Sequence, residues 1–211
     1  MTVSADASSV LASMLSAIKR ARVRVRLDAP GNVRKQKRII SIAAWQARWD
    51  RSDRGRWTHR LLPDVGRWLT KPPLTLTFRL TQMLSEHGCY RSYLERFNRA
   101  DDSYCVYCPD PDDTVEHTVF ICPRWLDDRA RMTKIMRRSP NVGDVEEILC
   151  DPLPHALPED AEARRRISKQ AETNRLEFIR MVETILSTKE KDEHEDEALQ
   201  RAQGNVRTAR L

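Results

Sequence analysis

Four residues near the middle of the chain constrain its fold more than any other feature. Cys105-Val106-Tyr107-Cys108, then His117, then Cys122 read C-x2-C-x8-H-x4-C. Two cysteines with two residues between them can turn both sulfurs toward one point, and a histidine with a further cysteine completes a tetrahedron. Zinc accepts four such ligands and then has no open position. The spacing therefore predicts a structural Zn2+ site at Cys105, Cys108, His117 and Cys122 and argues against a metal hydrolase. The intervening stretch from Asp110 to Asp113, with its prolines, has no apolar content, so the metal must hold it. The competing reading is four unrelated residues in a soluble domain. It has to place three of the five cysteines, plus a histidine, within eighteen residues by chance.

The rest of the cysteine usage agrees with reduced thiols or metal ligands. Five is an odd count, and the sequence shows no export signal. The apolar stretch from Val10 to Ile18 is short, broken by Ser13 and Ser16, and followed by basic residues where a signal peptide would have them in front. No run of eighteen apolar residues occurs, so no membrane partner is expected. An intracellular protein, nuclear or cytoplasmic, is the expectation. The 211 residues fit one domain or two small ones, and 32% charged residues leave room for a modest core. Six glycines disfavour a fold built on many tight β-turns.

Hydrophobic periodicity predicts a mainly α protein, with helical segments around a small CCHC zinc-knuckle loop and a long C-terminal helix. Val10, Leu11, Met14, Leu15 and Ile18 share a stripe over 6–20, with Asp6 as N-cap. A basic arm from Lys19 to Arg26 follows, then a turn at Pro30-Gly31-Asn32. A second helix is expected from Arg34 to Asp50, with Ile39, Ile42, Trp45 and Trp49 inward. Leu74, Leu76, Phe78 and Leu80 alternate as in a strand, but Leu80, Met83 and Leu84 favour a helix over 76–86. Tyr90, Leu94 and Phe97 mark another. Residues 100–121 read as a loop, and Pro123 suits the first position of a helix whose face carries Trp125, Arg129, Met132 and Met136. Pro152, Pro154 and Pro158 form a stiff linker. The last helix spans 159–189, with Ile167, Ala171, Asn174, Phe178, Met181 and Ile185 at heptad-like spacing, a seam that packs on its own protein or dimerises. A charge run from Lys189 to Glu197 leads into a tail expected to be disordered. The organisation read from this is 1–32, helix and basic arm; 33–99, basic Trp/Arg-rich helical region; 100–138, knuckle and following helix; 139–158, short helix and linker; 159–211, long helix and tail.

Charge is unevenly spread. Residues 1–100 hold 20 Lys/Arg against 7 Asp/Glu, a net +13, and the remainder carries −7. A basic lobe attracts phosphate, although solvated helix faces or attraction between the two halves would give the same count. Within the lobe, aromatics interleave with arginines from Trp45 to Arg60. Exposed, such a cluster stacks bases and holds phosphates; buried, its tryptophans are helix core and its arginines reach outward. Trp45 and Trp49, four apart, read as core. Arg54, Arg56, Trp57, His59 and Arg60, around Gly55, are the candidate nucleic-acid contacts.

Other constellations carry less. His87-Gly88-Cys89 is a rival thiol–imidazole pair that could equally pack at a helix end. Cys150 follows Leu149 on an apolar face and reads as core. Asp101-Asp102 lacks the apolar hairpin that a two-metal polymerase site requires and reads as an acidic loop. No P-loop, nucleophile elbow or zincin motif is present, so no catalytic residues are assigned.

Trp45-Gln46, Trp49-Asp50, the run from Gly55 to Val65, Leu80 to Leu84 and His87 to Leu94 resemble the C-terminal portion of non-LTR (LINE-type) retrotransposon polyproteins. The resemblance is to the kind that inserts into arthropod ribosomal RNA genes. The cysteine–histidine set, with Glu116-His117 and Cys122-Pro123-Arg124, is similar to the zinc knuckle that follows their reverse transcriptase domain. The resemblance is specific over 44–135 and looser to 187. It implies a non-catalytic, nucleic-acid-binding tail that holds template RNA or target DNA, with the remainder of the polyprotein as a further partner. A helical protein-interaction scaffold, or a part that works only within an RNA-directed DNA polymerase/endonuclease polyprotein, are the alternatives.

Overall fold

Trp45 and Trp49 can face one core only if the chain between them is helical, and this is the first anchor of the fold. The computed structural model describes residues 5–12, 31–72 and 74–208, and among them no strand occurs. The helices are α1 (Ala5–Leu11), α2 (Gly31–Arg51), α3 (Arg56–Leu61), α4 (Val65–Leu69), α5 (Phe78–Ser85), α6 (Arg91–Glu95), α7 (Leu126–Met136), α8 (Val145–Leu149) and α9 (Ala161–Thr208). The protein is mainly α with a long C-terminal helix, as its periodicity predicts. Among the described residues, those up to 77 together with 141–175 form one compact unit, and those from 78 to 140 together with the chain from 176 onward another. The end of the 6–20 helix, the basic arm from Lys19 to Arg26 and Pro30 lie outside the described residues.

In the first unit the Trp-rich motif is spent on folding. Trp49 is fully buried and its indole N–H donates to the Leu62 carbonyl at 3.0 Å. Gln46 donates to the Pro63 carbonyl at 2.7 Å and accepts the Val65 N–H at 2.8 Å, fixing the bend before α4. Asp64 caps α4 by accepting the Arg67 N–H at 3.0 Å. Glu146 of α8 receives the Asp64 N–H at 2.8 Å and pairs with the Arg67 guanidinium at 3.2 Å. Leu61, Leu62, Val65, Trp68, Val145 and Leu149 fill the space between.

Two expectations change here. Gly31 and Asn32 do not make a turn; they open α2. Ile39 does not face inward: it is 58% exposed, and Ile40 beside it is 61% exposed. Ile42 is half-buried, whereas Trp45 and Trp49 are covered. Among the described side chains of this helix, those at 36–40 are exposed and packing starts in the later turns; periodicity alone cannot say where along a helix its partner stops.

In the second unit, Leu80, Met83 and Leu84 of α5 are buried, as are Tyr90, Val119, Phe120, Trp125 and Met132 and Phe178, Val182, Ile185 and Leu186 of α9. Phe120 stacks on Phe178 at 6.3 Å between centroids. Pro123 opens a 3-10 turn, Pro123–Trp125, that leads into α7. Of the expected inward face, Trp125, Arg129 and Met132 are buried and Met136 is half-buried.

The seam on α9 differs from the predicted one at its start. Ile167 is exposed, and the buried stripe begins at Arg175 and runs through Phe178, Met181, Val182, Ile185 and Leu186 to Lys189. The helix does not stop there but continues to Thr208. Lys, Glu, Ala, Leu, Gln and Arg dominate this stretch, and all are favourable helix formers. A polar composition suggests disorder, but these residue types also favour the helical conformation.

Candidate metal centre

The segment from Ser103 to Cys122 brings the quartet together by backbone bonds that close a small loop. Asp113 N–H donates to the Ser103 carbonyl at 2.7 Å, and Cys105 N–H to the Asp110 carbonyl at 3.0 Å. The backbone N–H groups of Tyr107 and Cys108 are directed at the Cys105 sulfur, and that of Arg124 at the Cys122 sulfur. Such donors stabilise thiolate over thiol. The expected 100–121 loop is not a loop throughout: a helical turn forms, and His117–Ile121 is π-helical. The Cys122 N–H closes it on the His117 carbonyl at 2.7 Å. This has a direct chemical consequence. A turn closed between i and i+5 returns residue i+5 to the side of residue i, which the H-x4-C spacing needs and a regular α-turn would not supply.

The four ligand atoms lie within 4.8 Å of one another. Cys105 Sγ is 3.8 Å from Cys122 Sγ, which is 3.9 Å from Cys108 Sγ, and Cys108 Sγ is 3.3 Å from His117 Nε2. Tetrahedral zinc with ordinary bond lengths puts ligand sulfurs about 3.8 Å apart and sulfur about 3.6 Å from nitrogen. The donor set and its spacing fit that ion. Burial pushes the Cys122 thiol up to about 12 and raises Cys105 as well. Without a cation the two sulfurs therefore hold their protons, and a bound metal must displace them.

The surroundings orient the ligands. Asp110 Oδ2 lies 3.1 Å from His117 Nδ1, so the ring presents Nε2 to the cysteines. Arg129, nearly fully buried, donates to the Cys122 carbonyl at 2.6 Å and holds the end of the π turn. The Tyr107 ring packs edge-on against Trp125 at 5.2 Å, and the Arg124 guanidinium lies 4.7 Å from the Trp125 centroid.

Asp113 is the residue that sequence reasoning missed. It is fully buried beside the site and gathers four segments. Its carboxylate accepts the Arg91 N–H at 3.0 Å and the Thr118 hydroxyl at 2.6 Å, and faces Lys189 Nζ at 2.7 Å. Its carbonyl accepts from the Ser92 hydroxyl at 2.9 Å. In the sequence it is one of five aspartates between 101 and 113 that look alike, and its partner lies on a distant helix. Among those others, Asp102 accepts from Arg91 at 3.0 Å.

The basic candidates fall into two groups. Arg56 donates to the carbonyls of Trp49, Asp50 and Ser52 at 3.4, 3.3 and 3.0 Å, capping the end of α2. His59 bridges Arg56 and Asp50, and its hydrogen bond, ahead of that from Gln46, holds the Asp50 carboxyl below its usual range. Trp57 is only 8% exposed. Arg54 and Arg60 are exposed, the latter with its guanidinium 5.4 Å from the Trp57 centroid. Replacing Trp57 with Ala is accordingly expected to cost about 3–5 kcal/mol of folding, read from the urea midpoint. A midpoint within about 0.5 kcal/mol of the parent would place this ring outside the core.

The remaining candidates are structural in their surroundings. His87 Nδ1 lies 2.6 Å from the Ser85 carbonyl and its ring packs on Tyr93 at 5.0 Å. Burial raises the Cys89 and Cys150 thiols to about 12. Among the described residues, no helix is long and apolar enough to cross a membrane.

Fold and site together define a helical protein with a closed cluster of three cysteines and one histidine that could hold a metal ion. Among curated proteins, the chain is similar to products of type-1 retrotransposable elements. It is 34% identical over 87 residues, 41% of its length, to a putative 115 kDa protein in the R1DM element of Drosophila melanogaster. It is 30% identical over 95 residues to a retrovirus-related Pol polyprotein from the R1 4 element of Nasonia vitripennis, and 31% identical over 90 residues to one from the R1 element of Bradysia coprophila. The matched stretch covers 8%, 24% and 9% of these relatives, so the chain corresponds to a fraction of each. No protein-family model matches the chain. No solved structure matches it.

Proposed function

We propose that this chain is a zinc-stabilised nucleic-acid-binding segment of an R1-type retrotransposon polyprotein, holding template RNA or target DNA without a catalytic site of its own. The observation that carries the reading is the convergence of Cys105, Cys108, His117 and Cys122 at tetrahedral spacing. With four protein ligands the ion has no position left for water or substrate, so its work is to hold the loop. The similarity to Pol polyproteins supports nucleic acid as partner. The basic N-terminal half supplies the charge; Arg54, Arg56 and Arg60 are exposed around Gly55, with Arg56 already bonded to the end of α2.

Phosphate contacts release counterions, so binding to single-stranded RNA or duplex DNA should weaken with salt, log K losing about 0.7 to 0.9 of slope per contact. Arg54→Ala with Arg60→Ala should flatten that slope by up to about two contacts' worth and leave metal content at one ion per chain. Titrating labelled RNA and DNA at several salt concentrations reads this directly. An unchanged affinity and slope would remove the patch from the binding surface. It would favour a protein-interaction scaffold, for which Ile39 and Ile40 offer an exposed apolar face.

A further inference from the structure

We propose that the metal at this quartet sets where the ordered part of α9 ends: the ion holds the 103–113 loop, and the loop in turn holds the helix from Lys189 to Asp192. The inference rests on the zinc reading above.

Up to Leu186, α9 is anchored by the core through Phe178, Val182, Ile185 and Leu186. Beyond it the chain reads Ser187-Thr188-Lys189-Glu190-Lys191-Asp192-Glu193-His194-Glu195, with no apolar side chain to bury. On the helix itself Lys189 pairs with Glu193 and Lys191 with Glu195, each at 3.6 Å, while Glu190 and Glu193, and Asp192 and Glu195, are like charges three apart, which repel. Four carboxylates against two lysines leave the stretch acidic, so partners from elsewhere add what these local pairs do not. Among the described residues it has three close ones. Arg79 of α5 meets Glu190 at 2.7 Å. The other two come from the metal loop: Asp113 faces Lys189 at 2.7 Å, and the Tyr107 hydroxyl donates to Asp192 at 2.7 Å. The Lys189 ammonium also lies 5.2 Å from the centre of the Tyr107 ring.

The ion fixes Tyr107 directly, and Asp113, which Arg91, Ser92 and Thr118 also hold, through the loop it closes. Tyr107 sits between Cys105 and Cys108, so its backbone is fixed by the ligand pair. Asp113 closes the loop on Ser103. The segment between them is Cys108-Pro109-Asp110-Pro111-Asp112, which has no core of its own. Removing the ion frees the loop, loosens its contacts with Lys189 and Asp192, and leaves the helix beyond Leu186 with Arg79 as its remaining close partner from elsewhere. Most helical stability in proteins comes from tertiary packing, and this part of the helix then has little of it. The ordered helix should then retreat to about Leu186, where the apolar anchors end.

The test is amide hydrogen exchange on the full chain, zinc-loaded and chelated, with metal content measured on the same samples. Peptides over 187–197 should exchange at least about tenfold faster after chelation, while those over 176–186 keep their protection. Tyr107→Phe keeps the ring against Trp125 and loses only the hydroxyl. It should still bind one zinc and yet show faster exchange over 187–197. If zinc binds one to one and 187–197 exchanges identically with and without it, the linkage is wrong and the metal site stands. If both helix stretches lose protection together, the ion supports the whole unit and the proposed boundary at Leu186 falls. If no zinc binds, the metal reading fails and the linkage fails with it.

Discussion

Replacing Cys122 with Ser should reduce metal content from one zinc per chain to near zero and destabilise the loop around it. Cys122 is the ligand with the most to lose. It is buried, its sulfur lies 3.8 and 3.9 Å from those of Cys105 and Cys108, and its backbone N–H closes the π turn on His117. Serine is close in volume and keeps that N–H, so packing changes little. What disappears is a soft thiolate, and the hydroxyl that replaces it is a poor zinc ligand at neutral pH. Structural zinc sites contribute on the order of 10 kcal/mol of apparent binding energy that is also folding energy. The 106–112 part of the loop has no fully buried side chain and offers little else to hold it. Metal analysis of protein purified without chelator, with exchange or proteolysis over the same segment, reads both effects. Zinc content unchanged in the serine variant would dismiss the site.

Lys189→Met should cost about 3–5 kcal/mol of stability, because it leaves the Asp113 carboxylate buried with only two neutral donors, the Arg91 N–H and the Thr118 hydroxyl. Lys189 and Asp113 are both inaccessible to solvent. Breaking one side of such a pair strands the other, whereas removing both charges removes the penalty as well. Lys189→Met combined with Asp113→Asn should therefore cost less than the two single changes added together. The pH dependence follows the same pair. Burial pulls the lysine down, and the charge and hydrogen bond of Asp113 more than reverse that, leaving it above its usual range. A group raised on folding contributes fully below its unfolded value, about pH 10.4, and loses that contribution only as pH rises through the folded one. The pair should thus stabilise across neutral pH and fade only in strong alkali. Urea unfolding of the four proteins from pH 7 to 11 measures both claims. Additive losses would show that the two side chains act separately.

The convergence of Cys105, Cys108, His117 and Cys122 is legible because donor spacing is a local problem. Residues from 105 to 122 suffice, and spacing alone decides whether their donors can meet. Helices were legible for the same reason: Trp45 with Trp49, or Met132 with Trp125 and Arg129, declare a face within a few turns. The π turn between His117 and Cys122 was not read, although the five-residue offset contained the hint.

What the sequence left open depended on distance along the chain. The Gly55–Arg60 stretch has the composition of a nucleic-acid contact, yet Arg56 caps the end of α2 and Trp57 joins the core. Nothing in the hexapeptide separates those roles from base stacking, because the carbonyls and the cavity they fill belong to other segments. The seam on α9 was periodic from Ile167, but only packing decided that it is covered from Arg175. Asp113 among its neighbouring aspartates, and Lys189 at the head of a charge run, look like solvated surface. Their meeting at 2.7 Å needs the loop and the helix to be placed together. Local donor spacing and local periodicity were written in the residues themselves. Which charges are buried, and which polar groups cap and which are exposed, was decided by contacts that only the tertiary structure brings about.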